Sequence, residues 1–266
     1  CETKKNAVVI GGGLLGLEAA YGLKQRGMNV TVLHLMDRIM ERQLDGRASR
    51  MLRQSIEQKG INIITEANTE ALIGKKGHVS QVRLKDDTVL DADLVVFAVG
   101  IRPNIALAQS AGLRCNRGVL VNDTMQTFDP SIYAVGECIE HRNQTFGLVE
   151  PLWGQAFVCA THLAEHGSLT FKSPTVPTQL KVSGVDVFSA GNIEPNEDYE
   201  DIILNDEKRQ IYKRIIIQKD KVIGAVLFGD TEDGMWYAEL IADQTPIVSF
   251  RNKLLFGKDF AMKKAG

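Results

Sequence analysis

Cysteine is scarce and unclustered in this sequence: Cys1, Cys115, Cys138 and Cys159 lie far apart, with no CxxC pair. That spacing argues against a zinc cage or a local redox disulfide and fits free thiols in a reducing cytoplasm. Long apolar runs are missing too. The longest, "LVVFAV" at 94–99, is far short of the roughly 20 residues a membrane-crossing helix needs. Neither sign of charge dominates. The formal net charge is -2, which argues against nucleic acid or an anionic membrane as the main partner. The opening "CETKKN" lacks the basic, apolar and small-residue order of a secretory signal and runs almost directly into a strand, which suggests a piece of a longer cytoplasmic chain. No internal repeat or low-complexity tract is visible.

What remains is the balance of an ordinary globular protein, 44% hydrophobic and 24% charged over 266 residues. "AVVIG" at 7–11 is a continuous β-branched run, as expected of a strand covered on both faces. A helix is predicted from Leu14 to Arg26, stopped by Gly27 and Asn29 before the strand "VTVLHL" at 30–35. A second helix should run from Asp45, as N-cap, to Lys59, with Gly60 past its end and the strand "INII" at 61–64 following. Turn signals at "GKKG" and "KDD" then indicate a β-meander that crosses to a last parallel strand at 94–98.

Residues 1–104 therefore read as one doubly wound α/β nucleotide-binding domain, and 105–174 as a second segment of different character. That segment should hold a short helix at "NIALAQSAG", strands at "GVLVND" and "SIYAVGE", and a helix from Pro151 to Glu165. The prolines of "SPTVPT" at 173–178 mark a linker. Residues 175–266 alternate around turns at Ser183-Gly184 and Lys219-Asp220, which indicates an antiparallel sheet, and "DGMWYAELIADQT" adds a helix, for an α+β domain.

Gly11, Gly13 and Gly16 fit G-x-G-x-x-G between a predicted strand and a predicted helix. Gly11 permits the tight turn, Gly13 lets a pyrophosphate approach the amides of Leu14 and Leu15 at the helix start, and Gly16 lets helix and strand pack closely. About 20 residues on, where an acid would bind the ribose 2'-hydroxyl, stands His34. A neutral imidazole can still hydrogen-bond a ribose, whereas a 2'-phosphate would want guanidinium, for which Arg38 and Arg42 are the near candidates. NADH is favoured over NADPH, with Asp37 as another acceptor or simply a solvated loop residue.

"DPSIYAVGECIEH" at 129–141 is more discriminating, and with the glycine fingerprint it resembles the FAD-dependent pyridine-nucleotide oxidoreductases of the glutathione-reductase fold. The resemblance implies that a strand delivers Gly136 and Glu137, with Glu in place of the usual Asp, to the ribityl and pyrophosphate region of FAD. "ADLVVFAVGIRPN" at 92–104 resembles the family's hinge strand, with Gly100 letting backbone pass close to bound cofactor. "GLE" at 16–18 implies that Glu18 lies near the nicotinamide carboxamide, although an acid favoured by the helix dipole is the alternative. "VEPLWGQA" at 149–156 resembles the helix whose N-terminus, with Pro151 and Leu152, faces the flavin's pyrimidine edge. Residues 105–174 would then be the second segment of the FAD-binding domain.

Within the family, "VLHLMDRIMERQLD" at 32–45, "PTQLKVSGVDVFSAG" at 177–191 and "YKRIIIQKDKVIGAVLFGD" at 212–230 resemble the flavin-containing part of the large subunit of assimilatory NAD(P)H nitrite reductases. This likeness implies NAD(P)H and FAD as cofactors and electron flow to a nitrite-reducing iron-sulfur and sirohaem centre in a C-terminal part outside this sequence. It also implies an earlier FAD segment carrying its own glycine fingerprint, without which FAD would lose the main cradle of its adenine and pyrophosphate. A rubredoxin or ferredoxin reductase is the alternative with the same chemistry, and a non-catalytic nucleotide-binding or assembly module the alternative of another class. No general acid or base is assigned. His78, His141, His162 and His166 read as solvated or structural, Trp153 and Trp236 as packing residues, and "EPNEDYEDIILNDEKR" at 194–209 as a solvated face or a docking surface.

Overall fold

The computed structural model describes residues 5–165, 167, 169–173, 177–182, 184–195 and 198–262. Cys1, His166, Ser183 of the predicted turn and residues 174–176 of the predicted linker lie outside them. The chain packs as two compact units, one of Cys1–Val99 with Pro177–Gly266 and one of Gly100–Val176.

The first unit begins with β1 (Asn6–Ile10), α1 (Leu14–Gln25), β2 (Asn29–Leu33), α2 (Gly46–Gln58) and β3 (Ile61–Ile64). The antiparallel meander β4 (Thr69–Lys75), β5 (His78–Leu84) and β6 (Val89–Asp91) leads to β7 (Leu94–Phe97). The parallel sheet has the order β3-β2-β1-β7, so the chain starts in the middle, runs outward to β3 and returns past β1 to β7. The local signals act as expected. Gly27 and Gly60 take left-handed φ values of 81° and 78° beyond the two helices, and the Asp45 carboxylate caps α2 by accepting from the amides of Arg47 (3.0 Å) and Ala48 (2.9 Å).

The second unit holds α3 (Ala106–Ser110), β8 (Val119–Leu120), β9 (Ile139–His141), β10 (Gln144–Thr145) and α4 (Val149–Leu163). Met125, Ile139, Phe146, Val158, Cys159 and Phe171 form its core. The strand predicted over "SIYAVGE" does not form. That stretch makes one bridge, Tyr133 with Gln126, because the turn after Pro130 and the left-handed Gly136 (φ 101°) interrupt pairing, and β8 pairs instead with β9 a few residues later.

The first unit resumes with β11 (Thr178–Val182), β12 (Val185–Gly191), β13 (Glu200–Asp206), β14 (Ile211–Gln218) and β15 (Lys221–Phe228), an antiparallel sheet of order β11-β12-β15-β14-β13. α5 (Gly234–Ala242), a 3-10 segment Arg251–Phe256 and α6 (Lys258–Met262) follow. One continuous core joins Val9 and Val32 of the parallel sheet, Leu17 and Leu52 of the helices, and Tyr212, Val226 and Phe228 of the antiparallel sheet. α1 and α2 thus pack their buried faces into a core shared by the two sheets. The outer face of the parallel sheet packs on Val82 and Leu84 of the meander, and that of the antiparallel sheet on Trp236, Tyr237 and Leu240 of α5. No helix among the described residues is long and apolar enough to cross a membrane.

Candidate functional site

The glycine turn joins β1 to α1. Gly11 has φ 121°, and a Cβ there would lie 2.2 Å from the carbonyl oxygen of Ala98, so the backbone just past β7 closes against the turn. At Gly16 a Cβ would fall 1.9 Å from the Gly11 carbonyl oxygen, a spacing only glycine permits. Gly13 differs. It is the N-cap of α1 in extended conformation (φ -83°), with no atom within 4 Å of the Cβ position and no side-chain cap on the helix. The first-turn amides of Leu14, Leu15 and Gly16 have no acceptor from the helix itself and no side-chain cap, and the space beside Gly13 is open. Backbone donors, the positive end of a helix dipole and room for backbone-close approach are what a diphosphate requires, so these residues fit a dinucleotide. Leu15 is exposed and Leu14 half-buried at the edge of this opening, and Glu18 is exposed one turn into α1.

His34, at the end of β2, is buried, and both its ring nitrogens are engaged. Nδ1 accepts from the Gly12 amide at 3.0 Å, and Nε2 faces Glu41 Oε2 at 3.0 Å. Since Nδ1 must be the acceptor, the proton of the neutral ring sits on Nε2 and is donated to Glu41. Gly12 and Glu41 are residues the glycine pattern does not single out. Gly12 occupies a position open to any residue in the fingerprint, yet a Cβ there would lie 2.8 Å from His34 Cγ and 2.9 Å from Ile39 Cγ2. The unbroken run of three glycines, 11–13, was the available signal. Arg38 is paired with Glu194 and lies 3.7 Å from Asp37, while its Nε is buried without a partner among the described residues. Asp37 is exposed, and so is Arg42, which forms no ion pair or side-chain hydrogen bond among the described residues.

The second unit presents its own candidate surface. Gly136 takes φ 101° with nothing near its Cβ position, and its amide donates to Gln155 Oε1 at 2.8 Å. Gln155 is fully buried and its Nε2 has no partner among the described residues. An orphaned buried donor beside an open glycine fits an oxygen-rich ligand such as a ribityl or phosphate group. The signal was a glutamine on the buried stripe of α4, with Pro151 and Val158 as its apolar neighbours. Glu137 is exposed. Gly100 has φ 88° and open space around it, so its glycine serves the backbone turn.

Pro151 is the third residue of α4 and buried, and Leu152 packs against the core. The α4 N-terminus has no side-chain cap, and beside it lies an open cavity of about 380 Å³ lined by Arg117, Gln144, Phe146, Leu148 and Pro151. Trp236 is packed as expected, but Trp153 is 73% exposed, because it falls on the α4 face opposite the buried stripe.

Of the histidines, His78 is exposed at the start of β5 and His162 contacts the Tyr133 hydroxyl at 2.8 Å. His141 is buried and bonds Asp123 at 2.8 Å. Glu140, also buried, accepts from Asn116, Arg117 and Gly118; burial pushes its carboxyl up, and the hydrogen bonds outweigh it, leaving the pKa below the ordinary value. His141, His162 and Glu140 are thus engaged by neighbours within the second unit, with His141 Nδ1 buried and unpartnered among the described residues. The charged stretch at 194–209 is not simply solvated: Glu194, Asn205 and Glu207 meet Arg38 and Arg47, and Asp201 pairs with the half-buried Arg214.

Residues 2–156 match the model of the pyridine nucleotide-disulphide oxidoreductase family. The chain belongs to this family. Residues 177–245 match the rubredoxin NAD+ reductase C-terminal domain. The nitrite reductase [NAD(P)H] of Bacillus subtilis (strain 168) is 48% identical over 243 residues, covering 91% of this chain and 30% of that protein. The assimilatory nitrate reductase electron transfer subunit of the same organism is 41% identical, covering 94% of this chain and 32% of its own length. The chain therefore spans about a third of these curated relatives. Among solved structures, an FAD-dependent pyridine nucleotide-disulphide oxidoreductase from Desulfovibrio vulgaris superimposes with a TM-score of 0.82 at 28% identity, covering 96% of this chain and 68% of that one.

Proposed function

We propose that the chain is the NAD(P)H-binding, flavin-facing part of a nitrite reductase-type flavoprotein, carrying electrons from a nicotinamide dinucleotide through FAD toward an iron-sulfur and sirohaem centre outside these residues. The observation that carries this reading is the uncapped N-terminus of α1 with open space at Gly13. When bound, the nicotinamide supplies a hydride, and the flavin converts the pair of electrons into single ones. The protein's part is binding and orientation. Amides of Leu14, Leu15 and Gly16 hold the diphosphate, Gly11 and Gly16 keep strand and helix close enough to aim them, and Glu18 lies one turn along the helix for the nicotinamide end.

In this reading Gly136 and Glu137, with Gln155 behind them, receive the ribityl and phosphate part of FAD. Gly100 turns the chain out of β7, and the α4 N-terminus with Pro151 and Leu152 supplies partial positive charge to the flavin ring. Residues 1–104, 105–174 and 175–266 correspond to the NAD(P)-binding, second FAD-binding and C-terminal parts, in a cytoplasmic setting where NAD(P)H is available. Arg38 is held by carboxylates rather than free for a 2'-phosphate, which favours NADH. The match of residues 177–245 supports a second reading, a reductase that serves rubredoxin or a ferredoxin, with the same electron entry and a different acceptor. The test is to reconstitute the chain with FAD and mix it with NADH while following flavin absorbance. Bleaching is expected. A yellow protein that binds NADH without bleaching contradicts the electron-transfer reading and leaves a nucleotide-binding module.

A further inference from the structure

The position where a carboxylate is expected holds a ring that cannot do a carboxylate's work. An acid there would accept a ribose hydroxyl. His34 has no acceptor to spare for one. Its Nδ1 takes the Gly12 N–H, and the remaining nitrogen is a donor, already spent on Glu41 at 3.0 Å. A ribose hydroxyl seeking an acceptor finds none on His34.

Glu41 is the acceptor this geometry supplies. The loop that carries it is fastened to the turn: the Met40 amide donates to the Gly12 carbonyl at 3.0 Å, with Met40 itself left-handed at φ 54°. The Glu41 side chain is 24% exposed, so it is neither buried away nor adrift, and its Oε1 has no partner among the described residues while Oε2 is pinned by His34. A half-exposed carboxylate with one oxygen fixed and the other free is suited to bind a hydroxyl and to repel a phosphate. The cations that could offset such repulsion are Arg38, already paired with Glu194 and near Asp37, and the exposed Arg42.

We propose that Glu41, displaced by seven residues from the usual acid, is the residue that recognises the adenosine ribose 2'-hydroxyl and rejects a 2'-phosphate, and that His34 is the positioning residue that aims it. This rests on the dinucleotide reading of the glycine turn and names the specificity element of that site.

The test is the affinity of the chain for NADH and for NADPH, measured by titration calorimetry on wild type and Glu41→Gln. Glutamine keeps the size and an acceptor for His34, so the loop stays in place. NADH affinity is expected to fall about tenfold, the scale of one charge-assisted hydrogen bond, while NADPH affinity holds or rises. His34→Asp should make the site independent of Glu41, so that adding Glu41→Gln to it leaves the NADH preference intact. An unchanged NADH-to-NADPH ratio in Glu41→Gln, or an equal loss for both, overturns the proposal while the glycine-turn reading stands. Failure of wild type to bind either nucleotide overturns that reading and the role of Glu41 with it.

Discussion

The hydroxyl of Tyr212 in β14 donates to Asp45 Oδ2 at 2.8 Å, while the other oxygen of that carboxylate caps α2. Arg214 Nη1 completes the group at 3.5 Å. One buried carboxylate thus ends a helix of the nucleotide-binding layer and anchors the antiparallel sheet, and burial, reinforced by Asp45, pushes the Tyr212 hydroxyl's pKa well up. Tyr212→Phe should cost about 1.5–3 kcal/mol, the value of a hydrogen bond to a charged group. Asp45→Ala should cost more, since it also removes a cap worth about 1 kcal/mol. Urea unfolding midpoints at constant m check the order.

Gly16 and Gly13 should respond very differently to the same substitution. Gly16→Ala places a methyl 1.9 Å from backbone and should destabilise by about 1–3 kcal/mol or more, read as a lowered melting temperature. Gly13→Ala meets no atom and should cost no more than about 1 kcal/mol, the loss of a glycine N-cap. If both variants melt alike, the glycines are not divided between packing and ligand approach.

Acid should expose the Asp123 cluster. Its hydrogen bonds to Arg142 and then His141 hold the Asp123 carboxyl down at about 2, against an ordinary 3.8. A pKa depressed by folding gives stability that is complete above the unfolded value and lost as the pH falls through the folded one. Wild type should therefore be more stable than Asp123→Asn at neutral pH, with the gap closing between about pH 4 and pH 2. Melting curves across that range decide it, and a gap that persists at pH 2 speaks against the ion pairing.

Lys213 is 5% exposed, and its ammonium is matched by Asp230 at 2.7 Å, with Asp233 at 4.0 Å. Asp230→Ala leaves a buried charge half-compensated and should cost up to about 3 kcal/mol, less than a fully buried pair because Asp230 is partly solvated. Lys213→Met should cost less than Asp230→Ala, since it leaves no buried charge. The reverse order in denaturant unfolding would mean that the ammonium reaches water.

Much of this was legible because the determinants are local. Asp45 and Gly60 mark the ends of α2 through bonds within a few residues, and the three fingerprint glycines sit where the strand-turn-helix spacing puts them. The partner of His34 was not legible, since only the left-handed turn at Met40 brings Glu41 back to the ring. Nor was the Asp45–Tyr212 bond, which joins residues 167 positions apart. Over "SIYAVGE" β-propensity misled, because Pro130 and the positive φ of Gly136 outweigh it. Trp153 was misplaced because a helix in the second unit buries only one stripe, and residue type alone does not say which.

The central claim is that the amides after Gly13 hold the diphosphate of a nicotinamide coenzyme, and NADH titration of Gly13→Val beside wild type tests it most directly. With the fold verified by circular dichroism, wild type should show a saturable binding heat and the variant at least about a tenfold loss of affinity, because the valine side chain fills the space the phosphates need. A folded Gly13→Val protein that binds NADH as tightly as wild type would contradict the claim.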